Sequence, residues 1–117
     1  MQQVHGRQYD FTRFTHLGHR RLFKNFEELN SGAVCGPGMA LSWSYRYFLL
    51  SFSKNAFIRN CLTVFAALTS FYLKYFDYFL INKKGTLDAA SGYFFMGKKS
   101  DKTLTDKELL QLYKGAF

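Results

Sequence analysis

From Ser53 to Gly85 the apolar positions keep a helical period. Phe57, Cys61, Val64, Phe65, Leu68, Tyr72, Tyr75, Phe76 and Phe79 recur at steps of three and four. At 3.6 residues per turn that spacing returns them to one side of an α-helix. Ser53 is placed to cap the N-terminus, Lys83 and Lys84 to face the negative end of the dipole, and Gly85 to stop the helix. The pattern predicts one helix of about 28–30 residues, about 42–45 Å long. Its uncharged run from Cys61 to Leu73 is 13 residues, short of the about 20 that a bilayer-spanning helix needs. Burial of the stripe as core is the default expectation, with Phe65, Leu68 and Phe76 inside and exposure rising toward Lys83. The alternative is a helix lying flat on a membrane, with Lys54, Arg59, Lys74, Lys83 and Lys84 beside the aromatic face.

The flanking segments are shorter. Residues 1–13 have little periodicity and read as a loop. Thr15 caps a predicted helix from His16 to about Phe26, with Leu22, Phe23 and Phe26 inward and His19, Arg20 and Lys24 outward. Glu27 to Cys35 is a strand candidate, interrupted at Asn30-Ser31-Gly32 and ended by Gly36-Pro37-Gly38. Met39 to about Phe52 is apolar throughout and long enough to favour helix over strand. Ala90 to Lys98 is a short apolar run between glycines and lysines, the pattern of a strand buried on both faces. Thr105 and Glu108 form a capping box for a last helix carrying Leu109, Leu110, Leu112 and Tyr113. Two strands with about four helices do not complete a sheet, so the chain reads as part of a larger α/β layer structure.

Composition narrows the classes. At 117 residues, 48% hydrophobic and 20% aromatic, the chain is one domain's worth and not a disordered one. Sixteen basic against eight acidic residues give a net charge of +8, which favours anionic partners. The doublets Arg20-Arg21, Lys83-Lys84 and Lys98-Lys99 are scattered, which argues against a nucleic-acid site. Cys35 and Cys61 have neither zinc-ligand spacing nor a disulfide framework. With no apolar leader at Met1, the expected setting is cytoplasmic, with peripheral membrane contact under the alternative reading.

The phrases Gln2-Gln-Val-His5, Tyr9-Asp-Phe-Thr-Arg-Phe-Thr15, Leu17-Gly-His-Arg-Arg-Leu-Phe23, Ser31-Gly-Ala-Val-Cys-Gly-Pro37 and Asp88-Ala-Ala-Ser-Gly-Tyr-Phe-Phe-Met-Gly-Lys-Lys99 resemble a known family. They are similar to the C-terminal part of class I S-adenosylmethionine-dependent methyltransferases of the type 11 group. The resemblance implies a partial Rossmann-like sheet whose last strands form an antiparallel pair, flanked by helices and one long amphipathic helix. Residues 1–5 would leave the fifth strand, Glu27–Cys35 would be the sixth and Ala90–Lys98 the seventh. The chain then divides into a loop and helix (1–26), strand and turn (27–38), helical insertion (39–84), strand (85–99) and tail helix (100–117). The glycine-rich loop that holds S-adenosylmethionine in such enzymes is absent. The chain alone is therefore expected to bind no cofactor, to be inactive, and to need the missing N-terminal half or a sister chain. The other function class is a small basic module that binds an acidic membrane surface or a protein partner without catalysis.

His5, Tyr9, Asp10, Arg13 and His16 form the densest ionisable group. His5 is the candidate general base, with Asp10 orienting it and Arg13 holding an anionic substrate. Tyr9, Asp10, Arg13 and His16 are the candidate substrate contacts. The structural alternative pairs Asp10 with Arg13 inside the loop and leaves His16 and His19 in solvent. Trp43, Tyr45 and Tyr47 are candidates to line an apolar acceptor's pocket, or to serve as packing.

Overall fold

The computed structural model describes residues 10–116. Two bodies lie side by side: a sheet with short helices, and a layer of three longer helices.

The sheet body begins with α1 (His16–Leu22), where the Thr15 hydroxyl accepts from the Gly18 amide at 3.1 Å. The helix ends four residues before the expected point, because Phe23 turns inward and stacks on Phe95 with ring centroids 4.7 Å apart. β1 (Phe26–Cys35) then pairs antiparallel with β2 (Gly92–Lys99), the pairing expected from the resemblance. Asn30-Ser31-Gly32 does not break β1. The register shifts instead between Glu28 and Asn30, and again between Ala33 and Cys35. Each shift adds one residue and reverses which side chains face which way. Glu28 and Ser31 thereby come to the same side, and Ser31 Oγ donates to Glu28 Oε1 at 2.6 Å.

β2 is not buried on both faces. The sheet has two strands; Tyr93 and Phe95 meet α1, while Phe94 and Met96 on the other face are exposed. Leu29 and Val34, at the two register shifts, are exposed too. α5 (Thr86–Ala89) leads into β2. α6 (Asp106–Gln111) follows it, with the Thr105–Glu108 capping box formed as expected.

α2 spans Pro37–Leu50, so Gly36-Pro37-Gly38 opens this helix as well as ending the strand. Proline suits the first turn, where its missing N–H would have no intrahelical partner. The long helix of the sequence reading is two helices, α3 (Ala56–Ser70) and α4 (Leu73–Leu80), bent by 43° at the break. Asn55, not Ser53, caps α3, and Lys83 and Lys84 lie beyond the end of α4. The bend has a local cause. Thr69 Oγ1 donates to the Phe65 carbonyl at 2.8 Å and Ser70 Oγ to the Ala66 carbonyl at 2.7 Å. Such back-bonding from consecutive hydroxyls loosens the main-chain ladder and bends a helix. Among the described residues no single helix is long and apolar enough to cross a membrane; α3 and α4 reach that measure only together.

α2 packs against both α3 and α4, and the face it covers is not the aromatic one. Ala66 and Ser70 are buried there, and Ser70 Oγ lies 3.0 Å from Ser42 Oγ. Phe65, Leu68 and Phe76, expected in the core, are 52%, 70% and 53% exposed. Nor does exposure simply rise toward Lys83, since Phe57 at the start of α3 is as open as Phe79 near the end of α4. The buried apolar core of the described residues is confined to Leu50, Ala66, Ala90 and Leu109.

Candidate functional site

The loop 10–15 runs along the junction of the two bodies and lines two clefts there. One, of about 500 Å³, lies between this loop, the start of α2 and the segment Asp88–Ala90. The other, of about 510 Å³, is lined by Asp10, Arg13, His19, Cys35, Met39 and Trp43, among others. Arg13, Phe14 and Tyr93 border both. Two of the candidate site residues, Asp10 and Arg13, thus meet Trp43 in one place. Arg13 Nε donates to Asp10 Oδ1 at 2.9 Å, and its Nη2 pairs with Oδ2. This two-pronged pair orients the guanidinium through its own loop carboxylate. His5 and Tyr9 lie outside the described residues. Tyr45 is drawn elsewhere, its hydroxyl 3.2 Å from Thr69 Oγ1, and Tyr47 lies beside Trp43 with centroids 6.2 Å apart.

His16 lines neither cleft; its ring lies against Tyr93, which borders both. Far from standing in solvent, it is 6% exposed, its ring edge-on to Tyr93 at 5.7 Å and tilted against Tyr113 at 6.5 Å. Its Nδ1 is buried without a hydrogen-bond partner among the described residues. Burial lowers its pKa below 6.5, and the nearby Lys114 and His19 charges act in the same direction. Glu28 and Asp88 oppose the shift without cancelling it. Tyr93 is pushed up, first by burial and then by the Asp88 carboxylate, and its hydroxyl donates to the Leu87 carbonyl at 2.9 Å.

The best-built polar cluster was not legible as a site. Arg20, expected to point outward, is 3% exposed. Its guanidinium donates to Glu28 Oε2 at 3.1 Å, to the Phe23 carbonyl at 2.6 Å and to the Phe26 carbonyl at 2.9 Å. It also lies 4.8 Å from the Phe95 ring centroid. Lys114 closes the cluster by pairing with Glu28 Oε1. Burial alone would raise the Glu28 pKa, but the hydrogen bonds from Lys114 and Ser31, with the Lys114 and Arg20 charges, hold it below 4.5. The signal was the spacing of His16, Arg20 and Phe23 at i, i+4 and i+7, one helical face that a polar residue happens to occupy. All three guanidinium nitrogens of Arg20 donate inside the fold, so this cluster serves as a brace.

Among the described residues, the glycine-bearing turn that opens α2 does not fit S-adenosylmethionine. Among the described residues, the strand-to-helix passage through glycines is Cys35-Gly36-Pro37-Gly38. The amides that open α2 are already taken: Gly38 N donates to Asp77 Oδ1 at 2.7 Å and Met39 N to Oδ2 at 3.0 Å. A carboxylate of the chain itself therefore fills the place where a helix N-terminus would receive an anion. Pro37 has no N–H to offer. Among the described residues no group of three His, Cys, Asp or Glu side chains is placed to hold a metal ion.

No family model matches the chain, and no curated protein or solved structure matches it. Function rests on the geometry. The arrangement offers two half-open clefts with aromatic walls and one oriented guanidinium–carboxylate pair, which suits holding a molecule with an apolar body and a polar end.

Proposed function

We propose that this chain is the sheet-closing, acceptor-side part of a class I S-adenosylmethionine-dependent methyltransferase, inactive without a cofactor-binding half. The observation that carries the reading is the antiparallel pairing of β1 with β2 across four intervening helices. Strands so far apart in sequence pair as the closing pair of such a sheet does, and the second edge of β2 is left for a further strand. The exposed Phe94 and Met96 supply an apolar face for helices of the missing half. Asp10, Arg13, Trp43 and Tyr93 then serve the methyl acceptor, and the partner half supplies the donor pocket. A cytoplasmic setting goes with this reading.

Isothermal titration tests it. The 117-residue chain shows no specific heat with S-adenosylmethionine, whereas the protein extended through its upstream coding sequence binds the cofactor. Micromolar binding by the chain alone, or none by the extended protein, overturns the proposal.

A further inference from the structure

We propose that the outward aromatic face of α3 and α4 docks onto the surface of an anionic lipid bilayer. This inference goes beyond the methyltransferase reading, which rests on the sheet and not on this layer.

Three independent observations select lipid as the occupant. The first is the inside-out distribution of side chains. α2 covers the small residues of the helix pair, Ala66 and Ser70, while Phe57, Leu68, Tyr75 and Phe79 point away from it. Helices that meet water bury large apolar side chains; helices that meet lipid bury small ones and turn large ones outward.

The second is that four polar side chains of the layer, Arg59, Thr69, Ser70 and Asp77, have partners inside it. Arg59 Nη1 donates to the Leu50 and Ser53 carbonyls at 2.7 and 3.2 Å. Asp77 accepts from the α2 amides, and the Thr69 and Ser70 hydroxyls donate to carbonyls of their own helix. A segment that loses water on one side needs such internal partners.

The third is charge. Between Pro37 and Lys84 there are six basic residues and one acidic residue, and that one, Asp77, is held against the first amides of α2. Lys54 stands before α3, Lys74 lies within α4, and Lys83 and Lys84 follow it. The cations thus mark both ends and the middle of the aromatic face. That placement fits a helix pair lying in the headgroup region, and the 43° bend together with Lys74 argues against insertion across it.

The test is co-sedimentation of the full chain with vesicles of phosphatidylcholine alone or mixed with phosphatidylglycerol. The chain binds the mixed vesicles, and raising salt from about 0.1 to about 0.5 M weakens binding by screening. Leu68→Glu and Phe79→Glu replace side chains 70% and 75% exposed, so both variants keep their helical circular dichroism. Each weakens partitioning roughly tenfold. Lys83→Gln with Lys84→Gln reduces the preference for the anionic vesicles. Leu110→Glu, equally exposed but on α6, leaves partitioning unchanged. Absence of binding to mixed vesicles overturns the proposal, as does equal loss in Leu110→Glu. A dimer in vesicle-free buffer that Leu68→Glu and Phe79→Glu dissolve would make a second copy the occupant, and also overturns it.

Discussion

Arg20 illustrates how far one side chain departs from its usual place. A guanidinium enters the interior only with its donors paired, and here two carbonyls, a carboxylate and an aromatic face receive it. Removing it leaves Glu28 and two carbonyls short of partners, so Arg20→Ala lowers stability by about 3–5 kcal/mol. Arg20→Lys fails to rescue, since a single ammonium does not span three acceptors; urea denaturation of both variants measures this. His16 makes a pH prediction. Its folded pKa is depressed, so between that value and 6.5 the unfolded chain binds the extra proton. Stability therefore falls as pH drops below 6.5, and His16→Gln flattens that part of the profile of melting temperature against pH. Glu28 acts lower on the scale. Its carboxylate stabilises the fold above 4.5 and loses that contribution as pH falls from 4.5 through the depressed folded value.

At the scale of elements, the junction of α2 with α4 depends on glycine. A Cβ at Gly38 would collide with the Leu73 carbonyl oxygen, and one at Gly36 would meet the Asp77 carboxylate. The close crossing lets Asp77 reach the first amides of α2, where a negative charge complements the helix dipole. Gly38→Ala forces the helices apart at a cost of about 1–3 kcal/mol. Asp77→Ala removes the cap and costs about 1–2 kcal/mol. Hydrogen exchange checks both, with the amides of Gly38 and Met39 losing protection first. The residues that look in sequence like a turn after a strand are therefore the hinge pin of the helical layer.

The whole molecule is open. Its radius of gyration is 17.1 Å, where a compact chain of this length has about 13 Å. Its accessible surface is 8862 Å², against about 6,600 Å² for a compact protein of its mass. The excess lies on the scale of an obligate interface. It follows that Phe65→Ala and Phe76→Ala, each a half-exposed ring, lower stability by less than about 1 kcal/mol. Truncation of a buried ring would cost about 3–5 kcal/mol. Thermal melts of the two variants discriminate these outcomes.

What the sequence determined alone is the local order. The caps at Thr15 and Thr105 and the helix after Gly36-Pro37-Gly38 follow from residue type and short-range spacing, because their hydrogen bonds close within a few residues, and the two strands show as short runs bounded by turn residues. The antiparallel pairing of the two strand candidates was expected only through the family resemblance, and the structure has it. Asp10 and Arg13 could be read as neighbours because they stand three positions apart, but their meeting with Trp43 at the clefts required the fold. Periodicity located the aromatic stripe of α3 and α4 without showing which side α2 covers. Tertiary contact decided that: α2 approaches where Ala66 and Ser70 leave room, and the large rings are left outside. The bend at Phe71-Tyr72 follows from the local back-bonding of Thr69 and Ser70, whereas the inward turn of Arg20 and the burial of His16 have that tertiary origin. Both of these depend on partners distant in the chain, or on carbonyls whose availability only the assembled backbone sets.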